Sequence, residues 1–297
     1  MLFNNLELRF VNERFNKIVG VSFVSIAAAI WGSNGVIVNF IELDPFLIAY
    51  YRTLLATLLL IPTVFLVNKR EFIKAVREWK LLIFNGFMNA LGWGFLFSSM
   101  KLIPIAVSVL LNYLAPIFVA ILSPFFLKEK IKTTTIVSLP LSLLGVTLIF
   151  NEQINYGSAS IPGIIYGLLS GLFYAVFILI SKKIRRGYSS YTLASYTYMF
   201  TLVFLAIIVS ASSQTINVKE EAIPLLLLIG FVNTAFAVTI YFHGLGLIEA
   251  QKAVILTYFE PLCAALFGVL FLNQTLSIPL IVGGILIILS GYIVARY

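Results

Sequence analysis

Glu260 stands beside Pro261 inside an apolar run, "LTYFEPLCAAL", residues 256–266. A carboxyl in hydrocarbon is costly unless it faces a cavity or a partner, so its position marks it for function. In a low-dielectric site such a group either holds a proton or meets a cation, which suits Glu260 to proton coupling or to binding a substrate ammonium. The competing account is a protonated Glu260 hydrogen-bonded to a tyrosine or a backbone carbonyl. Arg52 lies six residues, about 9 Å at ~1.5 Å each, into its apolar run from the outer end. At that depth it either snorkels or bridges to Glu42 or Asp44, or else it holds a substrate carboxylate or an outer gate. His243, the single histidine, is expected to be a packed or interfacial residue. With no Cys or carboxylate cluster beside it, no metal site is predicted.

Pro261 has no N–H, so the carbonyl of Thr257 loses its helical partner, and Pro116 does the same for Asn112. Each freed carbonyl is either a polar contact for a solute or a kink satisfied by the neighbouring side chain or water. On a continuous helix, Ala253, Thr257, Glu260 and Ala264 share one face, and Ser108, Asn112, Ala115 and Val119 share the matching one. Trp31, Asn34, Asn85, Asn89, Trp93 and Tyr113, with Tyr174, Tyr196, Tyr241 and Tyr258, complete a candidate lining. As a group they suit an organic solute rather than a bare ion. Gly163, Gly167 and Gly171 form one small-residue ridge, and Gly86, Ala90 and Gly94 another, both read first as close-packing surfaces.

The elements that must hold these groups are membrane spans. Of 297 residues, 61% are hydrophobic and 11% charged, with a mean hydropathy of +1.04, too few charges for the surface of a soluble fold of this length. Runs of about 20 apolar residues are predicted at 18–41, 46–67, 80–101, 104–127, 133–150, 162–183, 190–212, 222–246, 249–272 and 277–296, so the fold class is an all-α bundle of ten transmembrane helices. Residues 1–17 read as a cytoplasmic lead-in rather than a cleaved signal.

The net charge of +8 is distributed by topology. With the N-terminus inside, the inner segments collect Arg9, Arg14, Lys17, Lys69, Arg70, Lys74, Arg77, Lys80, Lys128, Lys130, Lys132, Lys182, Lys183, Arg185, Arg186, Lys252 and Arg296, that is 17 of the 20 Lys and Arg. The outer segments hold Lys101 and Lys219 with Glu42, Asp44, Glu152, Glu220 and Glu221. This places both termini in the cytoplasm and the chain in the cytoplasmic membrane. Basic residues scattered over loops do not form a nucleic-acid stripe, so no nucleic-acid partner is predicted. The one cysteine, Cys263, is read as packing.

The chain is also duplicated. "AVSVLLNYLAPIFVAILSPFFLKEKI" from Ala106 aligns without gaps on "QKAVILTYFEPLCAALFGVLFLNQTL" from Gln251, at an offset of 145. Tyr113 meets Tyr258, Pro116 meets Pro261 and Asn112 meets Thr257, while Glu260 meets Ala115 and has no acidic twin. Arg52 meets Tyr196 in a second matching pair, "FLIAYYR" and "YTLASYTY". Two five-span halves, 18–150 and 162–297, enter from opposite sides because five is odd. Such an inverted repeat predicts a secondary transporter with a midplane site between the halves.

Ten spans, the "WGSN" of residues 31–34, "YLAP" and "YFEP", and the closing "FLKEKI" and "FLNQTL" resemble the EamA family of the drug/metabolite transporter superfamily along essentially the whole chain. The resemblance implies a basket-like bundle with a central cavity, peripheral fifth and tenth helices, and export of amino acids or other small metabolites. Asn273, Gln274 and Thr275 stand where the first half has Lys128, Glu129 and Lys130, a loss of charge that fits an outward-facing end. No phosphate loop, metal cluster or nucleophile with a histidine base is present in the sequence, so no cofactor and no catalytic residue are assigned. The expected partners are a small-molecule substrate, the lipid bilayer and a coupled proton. The alternatives are metabolite uptake or exchange and, more distantly, an intramembrane lipid-modifying enzyme.

Overall fold

Hydrocarbon offers no hydrogen bonds to a peptide group, so a chain this apolar must satisfy its backbone within helices. The structure, a computed structural model, describes residues 2–150, 160–211, 218–272 and 277–296, with side chains from residue 14. Glu152, Asn273, Gln274, Thr275 and the side chain of Arg9 lie outside the described residues. Within them there is helix and no strand, and nine stretches are long and apolar enough to cross a membrane.

In chain order the helices are α1 (Leu2–Gly32), α2 (Asn34–Asn39), α3 (Pro45–Ala75), α4 (Trp79–Met100), α5 (Ile105–Asn112), α6 (Ala115–Leu127) and α7 (Thr133–Phe150). The second half follows with α8 (Ile161–Arg185), α9 (Ser190–Ala211), α10 (Ile223–Leu228), a π-helical segment (Ile229–Phe236), α11 (Ala237–Leu247), α12 (Ala250–Leu256), α13 (Phe259–Leu272) and α14 (Ile278–Arg296). Helix α1 runs through the predicted lead-in. The link expected at 68–79 is also helical. Asn68 leaves helical geometry (φ −155°, ψ 62°) and caps a new turn, its Oδ1 accepting from the Glu71 N–H at 3.2 Å.

The bundle is apolar outside and mixed inside. Leu66, Phe125, Leu270 and Ile278 are exposed, while Ser138, Ser142, Ser181, Thr201 and Ser290 are buried. That distribution suits lipid contact outside and small, hydrogen-bonding residues between helices. The Gly163, Gly167 and Gly171 ridge of α8 lies under α5. A Cβ at Gly163 would meet Ile103 Cγ2 at 2.6 Å, and one at Gly167 would meet Leu111 Cδ1 at 2.7 Å. On α4 only Gly86 makes such a contact, with Phe200 of α9, whereas Gly94 has nothing nearer than 3.9 Å. The second ridge is therefore a single point of closure.

Helices α7 and α14 pack chiefly on each other, antiparallel. Ser290 Oγ donates to the Ser138 carbonyl at 2.8 Å. A Cβ at Gly145 would lie 2.6 Å from the Gly283 carbonyl oxygen, and one at Gly283 would lie 2.5 Å from that of Gly145. Gly145→Leu is expected to force these backbones apart and destabilise the protein by roughly 1–3 kcal/mol. A lowered melting temperature in detergent would show it, and an unchanged one would contradict this packing.

Candidate functional site

Four departures from regular helix converge in the interior. The first helix breaks at Ser33, between α1 and α2; α5 gives way to α6 at Tyr113 and Leu114; α12 gives way to α13 at Thr257 and Tyr258; and the π-helical segment lies opposite the first break. Pro116 and Pro261 each follow a break by two or three residues, as their missing N–H requires. The carbonyl of Thr257 is not left free, however, because the Glu260 N–H reclaims it at 2.9 Å. The Asn112 carbonyl packs on Gly171, where a Cβ would approach it to 3.0 Å. The breaks also interrupt the expected shared faces. Thr257 is buried and bonds its own turn at the Val254 carbonyl (2.7 Å), whereas Glu260 starts α13 and keeps partial access.

Glu260 and Arg52 are near enough for their charges to interact, and no ion-pair contact joins them. Arg52 does not snorkel. Its Nε donates to Thr234 Oγ1 at 2.8 Å, and its Cζ sits 5.3 Å from the centroid of the Trp93 ring. The outer carboxylates that could have drawn it outward have lysines instead, Asp44 with Lys101 at 3.2 Å and Glu42 with Lys219 at 2.5 Å. The Glu260 carboxylate has no hydrogen bond to a tyrosine or carbonyl among the described residues. Tyr113, Tyr174 and Arg52 instead form its electrostatic surroundings.

The aromatic and amide groups divide into two sets. Trp31 Nε1 donates to the Asn233 carbonyl (2.9 Å), and Trp31 packs against Tyr241 with ring centroids 5.2 Å apart. Asn34 Oδ1 accepts from Asn233 Nδ2 at 3.0 Å. Tyr258 donates its hydroxyl to the carbonyl of Tyr113 at 2.5 Å, a bond between the two residues that match at the repeat offset. Asn112 Nδ2 reaches Ser170 Oγ at 3.1 Å. Trp93 lies beside Tyr198, with ring centroids 6.3 Å apart. Of these, Trp93, Tyr198 and Tyr113 interact with Arg52 or Glu260, and the others hold the helix breaks. Asn89 and Tyr196 do neither. Asn89 is consumed by Thr201 (3.1 Å), and Tyr196 stacks on Phe72 at 4.4 Å with its hydroxyl on the Phe72 carbonyl. Asn85 likewise bonds Thr197, and His243 packs on Phe23.

Asn233 and Thr234 also meet at this interior, beyond the residues expected from the sequence. Asn233 Nδ2 lies within hydrogen-bonding distance of the Ile30 carbonyl, Ser33 Oγ and Asn34 Oδ1, holding the α1 break closed. Thr234 bonds the Ile229 carbonyl five residues back at 2.8 Å, matching the wider π turn, and presents the same oxygen to Arg52. An amide and a hydroxyl side by side in "GFVNTAF" were the available signal, polar groups in mid-span. The Tyr241 hydroxyl is buried with no hydrogen-bond partner among the described residues.

An all-helical bundle with apolar outer faces and a charged, aromatic interior is the build of a multi-pass membrane transporter of small molecules. Residues 18–151 and 161–296 each match the EamA-like transporter family, and the chain belongs to that family. An uncharacterized transporter of Archaeoglobus fulgidus is 31% identical over 191 residues, 64% of this chain and 67% of the relative. One from Bacillus subtilis is 26% identical over 292 residues, 90% of this chain and 88% of the relative. A solved crystal structure superposes with a TM-score of 0.82 over 94% of this chain and 96% of its own, at 16% identity, a likeness of fold. The protein is a transporter and not an enzyme, and its partners are a small molecule and the bilayer.

Thr234→Val removes the acceptor of a charged donor in the interior, and is expected to destabilise by roughly 1.5–3 kcal/mol, while Thr234→Ser restores most of the loss. Thermal unfolding of both variants in detergent is the measurement.

Proposed function

We propose that the protein is a secondary active exporter of amino acids or related small metabolites, working by alternating access between two inverted five-helix halves. The observation that supports this is an interior guanidinium, Arg52 on α3, held by Thr234 and Trp93 with no ion pair among the described residues, while the Glu260 carboxyl on α13 is near enough for their charges to interact. In this reading the solute carries a carboxylate for Arg52 and an ammonium for Glu260, with Trp93, Tyr113 and Tyr174 near these charges and the Tyr241 hydroxyl as a further hydrogen-bond donor. Trp31, Asn34, Asn112 and Tyr258 hold the helix breaks around it. In the same cycle Glu260 takes the coupling proton, because a carboxyl whose charged partner is withdrawn in hydrocarbon is driven to protonate.

The length of one stretch supports ten crossings. Residues 45–100 form 56 nearly continuous helical residues. At ~1.5 Å each that is about 84 Å, far beyond a hydrocarbon core of roughly 30 Å, so the stretch folds back into two crossings at Asn68 and the Val76–Glu78 turn. Inversion of the halves is supported by α7 and α14. At the offset of 145, Ser138 corresponds to Gly283 and Gly145 to Ser290, so the Ser138 to Ser290 and Gly145 to Gly283 contacts map onto each other. Such reciprocity is what a two-fold axis in the membrane plane produces. The basic connections then lie on the cytoplasmic side with both termini.

Counterflow of an amino-acid panel in proteoliposomes, with and without an imposed pH gradient, tests the proposal. Glu260→Gln is expected to remove the response to the gradient, and Arg52→Gln to raise the solute KM by about tenfold or more, the scale of losing a charged hydrogen bond. Wild-type rate and pH response in Glu260→Gln would rule out its coupling role. No flux of any panel member in the wild type would rule out the solute class.

A further inference from the structure

In two halves of similar fold, whatever is charged in only one of them biases which side stays closed. The corner between α11 and α12 is such a place. Lys182 of α8 donates to the Leu245 and Ile248 carbonyls, each at 2.6 Å, capping the end of α11. The Glu129 carboxylate accepts from the Ala250 N–H at 3.1 Å, capping the start of α12. Lys132 pairs with Glu249 at 2.6 Å, and Gln251 Nε2 reaches Ser123 Oγ at 2.7 Å. Lys128 takes up a left-handed conformation (φ 58°) at the end of α6, turning the chain so that Glu129 meets α12. Burial pushes the Glu129 carboxyl up while Lys182 and the Ala250 N–H pull it down. Its hold therefore comes from the cap it completes and from the Lys132 to Glu249 pair beside it, not from charge burial alone.

The other half has none of this. At the offset of 145, Glu249 corresponds to Pro104, Lys132 to Ser277 and Glu129 to Gln274, and Lys182 falls on the run "GVIVNF", residues 35–40. No charge stands at any of these places. Pro104 and Glu249 both occupy the N-cap position, of α5 and α12, in similar extended geometry (ψ 136° and 147°), which supports the correspondence. On the outer face, Lys101 in the α4–α5 corner pairs with Asp44 at the start of α3, and Glu42 pairs with Lys219, so neither pair joins the α4–α5 corner to the end of α13 as Lys132 and Glu249 join α6 to α12.

We propose that Glu129, Lys132 and Glu249, with Lys182 of α8 holding the α11–α12 corner in place, are gating residues that latch the cytoplasmic ends of the α5–α6 and α12–α13 helices together, making the inward-closed conformation the resting state. This rests on the alternating-access reading and its orientation.

The test uses the full chain in oriented membrane vesicles, with Cys263→Ser as background and single reporters Ala253→Cys inside or the corresponding Ser108→Cys outside, labelled by a membrane-impermeant maleimide. Lys132→Ser and Glu249→Pro, which copy the unlatched half, are expected to speed labelling of the inner reporter by roughly ten-fold, the effect of losing one charge-assisted contact, and to slow the outer one. The exchange Lys132→Glu with Glu249→Lys restores the original rates. As an independent arm, Pro104→Glu with Ser277→Lys builds the pair on the outer side and shifts labelling the same way as Lys132→Ser. Unchanged labelling in Lys132→Ser, or an exchange variant that stays as fast as Lys132→Ser, overturns the latch. If the outer-pair variant shifts the reporters reciprocally while Lys132→Ser does not, the latch alone has failed. If both reporters label freely and together in every variant, alternating access itself has failed.

Discussion

A guanidinium placed among hydrocarbon has to find its partners inside the protein, and much of the interior is organised around how Arg52 does so. Its Nε–H is met by Thr234, its face by Trp93, and its charge by Glu260 at a distance. Two of these depend on a local departure from regular helix. Thr234 is turned toward Arg52 by the π-helical segment, and Glu260 opens α13 just after a break. Broken helices leave unpaired peptide groups, which lipid would not tolerate. The protein meets them internally, with Asn233 against the α1 break and Tyr258 against the Tyr113 carbonyl. The same residues that make the breaks tolerable also fix the geometry of the charged interior.

In the proposed arrangement, symmetric and private residues divide the work. The contacts between corresponding positions of the two halves, Ser138 with Ser290, Gly145 with Gly283 and Tyr113 with Tyr258, are small, close or hydrogen-bonded. They hold the halves at the axis. Residues without a counterpart carry the chemistry, Glu260 where the first half has Ala115 and Arg52 where the second has Tyr196. The structure strengthens that contrast. Tyr196 is committed to Phe72 at a helix end, so it cannot mirror what Arg52 does.

Much of this was visible in the sequence, because apolar runs and unpaired ionisable groups are one-dimensional signals. Glu260, Arg52 and the two prolines stand out there as costly residues in mid-span. The amide and aromatic candidates were harder to sort, since a polar residue in mid-span either faces a solute or bonds the next helix. Asn112 and Asn89 look alike in the sequence and each bonds a hydroxyl of a neighbouring helix, Ser170 and Thr201, yet Asn89 is buried and Asn112 keeps partial access. Which neighbour a side chain meets is set by helix packing, and no spacing rule reports it. The direction of Arg52 was undecided for the same reason, until the lysines opposite Asp44 and Glu42 removed the outward alternatives. The capping of a new turn by Asn68 was likewise hidden, because a single Asn after an apolar run is equally a loop residue.

The central claim is that one solute site lies between Arg52 and Glu260, shared by the two halves. An experimental structure with a transported amino acid bound tests it most directly. The account predicts density between α3 and α13, with the carboxylate toward Arg52, the ammonium toward Glu260 and the side chain against Trp93 and Tyr174. Density away from both charges, with Arg52 and Glu260 unchanged from their unbound positions, would contradict it.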